Sequence, residues 1–462
     1  MSVAAKARAA AGELVPPAGV VRILSVSNLA KTVAHGIIMS VSVLYFTTSV
    51  GIPASRVGLA LTVGALVGML VAVPAGHAAD LLGPRNATVF ALVGLGVVAC
   101  GYAFVGSFTW LVVVASLVLA GEAATDASRG ALVAGVVPPE ERVRAWSYFR
   151  SIANIGVTVG AVAGGVGLWL DSAAGYMVLL VLAGVLFMVA GLMYLRVPSV
   201  PPAAPEEKQG PALVVLRDRP YAVFALLNSL LIMNGPLLTV ALPIWIAQRT
   251  DAPSSLYPAI LVINTLFVVT LQVRVSRGAE HVAGGARSLR RAGLVLAACC
   301  VLFAVAGGLP AWAAVAVLLA GAVVHVLGEM LHSAGSWSLA YGLAPERAHG
   351  QYQGLFGMST QLGSTVTPFL ATVLIIGLGW PGWLVFGAVM AGAGLLAPAV
   401  ARWSQSRSSA AEPSSSAGLS VAAPSSSEPS SAAGPVDPAG PAGSDTLPPG
   451  ETAVADAAPP KS

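Results

Sequence analysis

Nine polar side chains of this 462-residue chain fall into three sets of helical spacing. Asn28, Lys31 and His35 stand at i, i+3 and i+7, while Glu122, Asp126 and Arg129, and again His325, Glu329 and His332, stand at i, i+4 and i+7. On an α-helix each set occupies one face. Each set also lies inside an apolar run, where an ionisable group is costly and marks a substrate path or proton relay by default. The chemistry open to such groups is reversible proton binding. Burial disfavours a charged carboxylate and a nearby imidazolium favours it, so the balance shifts whenever water gains or loses access. Glu329, with a histidine on either side, is the leading candidate for a proton-coupling site, followed by Glu122 and Asp126. Lys31 is expected to reach Glu122 on a facing helix, as a gate or as plain support. Arg129 is placed to neutralise Asp126 one turn away. A static role, in which His325 and His332 merely satisfy Glu329 and Asn28 and His35 only bond between helices, stays open. The His-x-x-x-Glu-x-x-His set lacks a fourth ligand, so no metal is expected.

The elements that must carry these faces follow from composition. Hydrophobic residues make up 56% of the chain and charged ones 10%, and the mean hydropathy is +0.81. About 20 apolar residues span a bilayer as a helix, and only helices or closed barrels satisfy their backbone in lipid. The runs here are too long for barrel strands. They predict twelve transmembrane helices, near 21–49, 55–77, 86–106, 109–135, 141–168, 173–196, 219–247, 255–275, 288–308, 312–338, 350–377 and 381–403. The chain is thus an all-α membrane protein, with a cytoplasmic tail (1–20), a six-helix half (21–196), a Pro-rich linker (197–218), a second half (219–403) and a disordered tail (404–462) rich in Ser, Ala, Pro and Gly. Asn228 and Asn234 add milder polarity to the seventh span.

Charge placement fixes an orientation. With both ends inside, interior loops and tails hold Lys6, Arg8, Arg85, Arg142, Arg144, Arg217, Arg277, Arg287 and Arg347 among others, and exterior loops keep only Arg56 and Arg249. The net charge of +4 therefore reflects topology rather than nucleic-acid binding. Cys100, Cys299 and Cys300 lie in apolar runs and read as small hydrophobes. Trp110, Trp169, Trp380 and Trp383 fall at expected outer interfaces, where they would anchor the bundle. Arg150, near the cytoplasmic end of the fifth span, is expected to snorkel to the interface. No Gly-Lys-Ser/Thr phosphate loop occurs, and no nucleophile with a partnered base, so neither an ATPase nor another enzyme is expected, nor any cofactor.

Two segments carry a resemblance. Gly76-His77-Ala78-Ala79-Asp80-Leu81-Leu82-Gly83-Pro84-Arg85 resembles the loop signature between the second and third spans of the major facilitator superfamily, matching it at Gly76, Asp80, Gly83 and Arg85 and departing from its basic pattern at Leu81 and Pro84. Gly156, Gly160, Gly164 and Gly165 resemble the glycine element of that superfamily's antiporter branch, with Ala161 where a proline is expected. Small residues at this spacing also serve plain close packing. The resemblance implies two six-helix halves and a central cavity lined by spans one, four, seven and ten, which are the spans holding the polar sets. It implies a monomeric inner-membrane secondary transporter that exchanges a small apolar organic molecule for a proton or sodium ion. Uptake of a nutrient with a proton, or a receptor that has the fold without turnover, are the alternatives.

Overall fold

Among the described residues, twelve helices long and apolar enough to cross a membrane follow one another. They are α1 (Val20–Ser49), α2 (Ala54–Leu82), α3 (Pro84–Phe104), α4 (Phe108–Val136), α5 (Pro139–Leu170), α6 (Ala173–Arg196), α7 (Arg219–Arg249), α8 (Leu256–Val275), α9 (Val282–Ala306), α10 (Ala311–Gly342), α11 (His349–Ile376) and α12 (Trp380–Ala411). The structure, a computed structural model, describes residues 15–170, 172–201 and 213–411. Most of the expected N-terminal tail, the middle of the linker and the tail beyond Ala411 lie outside the described residues.

Three boundaries differ from the sequence expectation by five residues or more. α2 continues to Leu82 instead of ending near residue 77, because His77 to Leu82 contains no helix breaker; the break is Gly83, whose φ of +88° suits glycine alone, followed by Pro84 at the first position of α3. Gly76 and Asp80 are therefore helical rather than in a loop. α9 starts at Val282, six residues earlier than residue 288, and so takes Arg287 into its first turns. α12 runs to Ala411, past the expected end at residue 403, with Ser404 buried and the Ser406 hydroxyl donating to the Trp403 carbonyl at 2.9 Å.

The helix pairings repeat. Within α1–α6, packing joins α1 to α5 and α6, α2 to α4, and α3 to α4 and α6; within α7–α12 it joins α7 to α11 and α12, α8 to α10, and α9 to α10 and α12. Each pair recurs six helices later. Between the sets α2 packs on α11 and α5 on α8, and α4 packs on α11 and α5 on α10, again exchanged by the same step. Buried apolar side chains form two large clusters, one drawn from Leu24 to Val197 with Tyr341 added, the other from Val215 to Ala401 with Val73.

Glycines set how closely these helices approach. A Cβ on Gly156 would strike Thr32, one on Gly160 the Val33 carbonyl and Gly36, and one on Gly164 Ser40, so three glycines of α5 form the seam with α1. Gly165 faces open space and takes no part in it. Trp110, Trp169 and Trp380 are exposed as expected, but Trp383 is fully buried, packed edge-on against Trp245 and Phe303 at 6.0 and 5.2 Å. It belongs to the core of the last six helices, where its large apolar face gains more from burial than from an interface. Cys299 and Cys300 are buried and Cys100 partly so, all as free thiols.

The seam can be tested by a matched pair. Gly160→Val forces α1 and α5 apart and is expected to cost about 1–3 kcal/mol, as overpacking does, whereas Gly165→Ala should stay within about 0.5 kcal/mol of wild type. Thermal unfolding in detergent measures both; equal melting points would refute the seam.

Candidate functional site

The first two polar sets meet as a ladder. Counted along α1, Asn28, Lys31 and His35 are separated by steps of three and four; counted backwards along α4, Arg129, Asp126 and Glu122 show the same steps. The register matches rung by rung. Arg129 donates to the Asn28 Oδ1, Lys31 Nζ is bonded to Asp126 Oδ1, and His35 Nδ1 lies 2.9 Å from Glu122 Oε1. Arg129 also reaches Asp126 Oδ1 at 3.3 Å, so one carboxylate serves two cations. Asn28 turns its amide to the Phe149 carbonyl at 2.9 Å, fixing the foot of the ladder to α5. Lys31 is therefore the partner of Asp126 rather than of Glu122, and Glu122 belongs to His35. With His35 neutral the ladder carries no net charge, which lowers the cost of holding four ions in an apolar bundle.

Beside the ladder lies a cavity of about 170 Å³. Its walls come from α2 (Ala65 to Ala72), α4 (Leu119 to Arg129), α10 (Trp337) and α11 (Gln353 to Gln361). Glu122, Asp126 and Arg129 line it directly, and Asp126 is the open member, its side chain 48% exposed against 11% for Lys31. The expectation that spans one and seven would line the cavity is not met. α1 reaches it only through its ion pairs, and the polar residues of α7 are used inside the last six helices.

There Asn228 donates to Ser359 Oγ at 2.9 Å and Thr360 Oγ1 at 3.2 Å, with His332 Nε2 3.1 Å from its Oδ1. Asn234 donates to the Leu231 carbonyl at 2.6 Å, where α7 is interrupted ahead of Pro236. His325 Nε2 lies 3.0 Å from the Asn234 carbonyl. All four are buried and none lines the cavity, so their expected place on the cavity wall is corrected. Neutral polar groups in a span are satisfied most readily by hydroxyls and carbonyls of the adjoining helices, and α7 lies against α11, which supplies them.

Glu329 is not held by its flanking histidines. Its Oε1 is paired with Arg150 of α5 and its Oε2 accepts from Asn264 of α8 at 2.7 Å; His325 Nδ1 stands 3.9 Å away and His332 is committed to Asn228. Arg150 therefore does not snorkel to the interface. Together with Glu329 it joins the first six helices to the last six.

Two further contacts cross between the same sets. The Asp80 carboxylate accepts the backbone N–H of Gly350 at 2.7 Å and of Gln351 at 3.1 Å, at the N-terminus of α11, where free amides and the helix dipole favour an anion. Gly76 permits this, since a Cβ there would collide with the Gly350 carbonyl. Gly83 and Arg85 remain on the α2–α3 side, Arg85 donating to Asn86 and to the Val197 carbonyl. Trp146 of α5 stacks on Trp337 of α10 with centroids 3.4 Å apart, and donates to the Tyr341 hydroxyl at 2.8 Å. The sequence reading missed Trp146, Trp337, Asn264 and the partnership of Arg150, which no local spacing signals.

The description Major Facilitator Superfamily belongs to a family model that matches residues 24–358. The chain belongs to the major facilitator superfamily. It is 22% identical over 342 residues to the uncharacterised MFS-type transporter YqjV of Bacillus subtilis (strain 168), covering 72% of this chain and 80% of that one. Among solved structures it is similar to a bacterial homologue of the iron transporter ferroportin in an outward-facing state (TM-score 0.65, 15% identity, 84% of this chain and 99% of that one). It is also similar to the human organic anion transporter MFSD10 (0.63, 16%, 82% and 98%) and to the proton:xylose symporter XylE (0.61, 12%, 81% and 94%). At these identities the likeness is one of fold. As a superfamily member the chain is a multi-pass membrane carrier for a small molecule.

The ladder makes its own test. Asp126→Asn leaves the buried Lys31 with no carboxylate and is expected to cost about 3 kcal/mol, the low end for a broken buried pair because Asp126 is half open. Lys31→Met in the same chain should recover part of that loss. Melting the four members of the cycle gives the coupling between the two residues, and strictly additive effects would refute the pairing.

Proposed function

We propose that this carrier exports a small, largely apolar organic compound in exchange for protons, its two six-helix halves rocking about the cavity between them. The observation that carries the reading is the ladder on the cavity wall. Glu122 shares a hydrogen bond with an imidazole, and Asp126 offers a half-open carboxylate to two cations beside a space lined mainly by Ala65, Met69, Leu119, Trp337, Phe356 and Met358. A proton arriving at Asp126 releases Lys31 and Arg129 to find new partners, and one arriving at Glu122 alters its bond to His35, so proton binding and the shape of the wall change together.

Closure at the Asp80 end supports one phase of alternating access. The Asp80 contact to α11, the Arg150–Glu329 pair and the Trp146–Trp337 stack all join helices from different halves there. Positive charge in the loops supports a cytoplasmic side for this end, in keeping with the outward-facing state named for the ferroportin homologue. The glycine seam of α5, which resembles that of antiporters, supports export. A second reading, uptake of a hydroxylated nutrient with a proton as named for XylE, is favoured by Gln353, Thr360 and Gln361 on the cavity wall.

Proteoliposomes that report internal pH distinguish these readings. Lipophilic compounds trapped inside are expected to drive protons inward as they leave, and Glu122→Gln to reduce that flux at least about tenfold, the scale of losing one titrating group from a coupled step. Protons that travel with the compound would establish symport. Proton flux unchanged in both Glu122→Gln and Asp126→Asn would remove coupling from the ladder.

A further inference from the structure

The imidazole of His325 has a fixed tautomer. Its Nε2 lies 3.0 Å from the backbone carbonyl of Asn234, which can only accept, so Nε2 carries the hydrogen. The other nitrogen, Nδ1, is buried without a hydrogen-bond partner and faces Glu329 Oε2 at 3.9 Å, lone pair towards lone pair. Glu329 is meanwhile bonded to Arg150 through Oε1 and to Asn264 through Oε2. Among the described residues the Arg150 guanidinium makes no other hydrogen bond, and its Nε is buried and unpartnered. One carboxylate thus stands between a cation from the other half and an imidazole one turn away that lacks only a proton to compete for it.

We propose that His325 is the proton-operated release for the contact between the halves: a proton taken up at Nδ1 makes an imidazolium that draws Glu329 away from Arg150. The proton goes to the Nδ1 lone pair, Nε2–H stays on the Asn234 carbonyl, and the new N–H donates to Glu329 Oε2. Oε2, 3.9 Å from Nδ1, turns from Asn264 towards the new donor, and the added positive charge beside the carboxylate weakens its hold on Arg150 through Oε1. The surroundings favour this exchange over other outcomes. From α10, Glu329 is the near anion and His332 is engaged with Asn228; from α5 comes Arg150; from α8, Asn264; from α7, Asn234. α9 and α12 contribute Cys299, Cys300, Phe303, Trp383 and Met390, with no charge among them. Asn234 and Trp383, whose Oδ1 and Nε1 have no partner, line a void of about 10 Å³ beside His325, close to the least space one water occupies.

This inference rests on the reading of the chain as proton-coupled, and its test needs no substrate. Spin labels at Glu140→Cys, at the start of α5, and Glu346→Cys, just before α11, are both exposed and report the separation of the halves. In the wild-type background, with Cys100 replaced, lowering the pH from 8 to 5 is expected to shift the distance distribution towards longer separations. His325→Gln, which keeps a donor for the Asn234 carbonyl but takes up no proton, should lose that shift and stay short. Glu329→Gln should give long separations at both pH values, which guards against a silent His325 variant being merely misfolded. A pH shift that persists in His325→Gln, or a wild-type distance that ignores pH, overturns the proposal. If the distances behave as expected while no compound moves protons, the transport reading fails and the release stands.

Discussion

A charge inside an apolar bundle has to find a partner there, and in this protein the mid-span carboxylates find theirs on other helices: Asp126 a lysine and Glu122 an imidazole on α1, Glu329 a guanidinium on α5. The arrangement of the helices follows from that demand. α1 and α4 have to run antiparallel in one register, because any slide by a turn would strand Lys31 or Arg129 in a medium that does not tolerate it. Such pairs add little net stability over apolar packing, since desolvation consumes most of the Coulombic gain. What they supply is register, and a state of charge that depends on protons.

The bundle is held together differently within and between its two sets of helices. Within α1–α6 the seam of α1 on α5 is made by Gly156, Gly160 and Gly164 against Thr32, Gly36 and Ser40, bare backbone against small side chains and, at Gly160, against backbone. Such contacts have one good geometry and resist sliding. Between the sets the contacts include a carboxylate on two backbone amides, one guanidinium on one carboxylate and a flat stack of two indoles. Water can replace each of these polar partners once it enters, so separation costs less there than inside either set. The plane of opening is thus written into the kind of contact as much as into its position.

The helices were legible in the sequence because the bilayer imposes length and hydropathy on each span independently, and the polar sets were legible because helical spacing defines a face. Partners were harder to read. Spacing along one helix says which residues share a face and nothing about which helix comes opposite, so the sequence sets only His325 and His332 beside Glu329, and its partner Arg150, 179 residues away, goes unsignalled. The Lys31–Asp126 pair was within reach: steps of three and four on one helix against the same steps read backwards on the other select a single register. The contribution of α2 to the cavity was not, since Ala65, Gly68 and Met69 differ in no chemical respect from residues that face lipid. Trp383 shows the same limit from the other side, an indole near a span end that turns inward because Trp245 and Phe303 leave it a slot.

The ladder and the Glu329 pair are far apart in sequence, yet a short chain of contacts joins them. Arg129, which shares Asp126 with Lys31, lies over the Trp146 ring at 4.8 Å. Trp146 stacks on Trp337 and donates to the Tyr341 hydroxyl, which donates in turn to the Gly130 carbonyl at 3.0 Å, returning to α4. Four residues further along α5 from Trp146 comes Arg150, one turn away on the same face. Packed contacts therefore run from Asp126 to Arg129, from Arg129 to the indole that it covers, and from that indole to the two helices that also hold the Arg150–Glu329 bond. The cavity wall and the contact between the halves are thus two ends of one packed unit, and a carrier needs such a link if what occupies its cavity is to decide which way it opens.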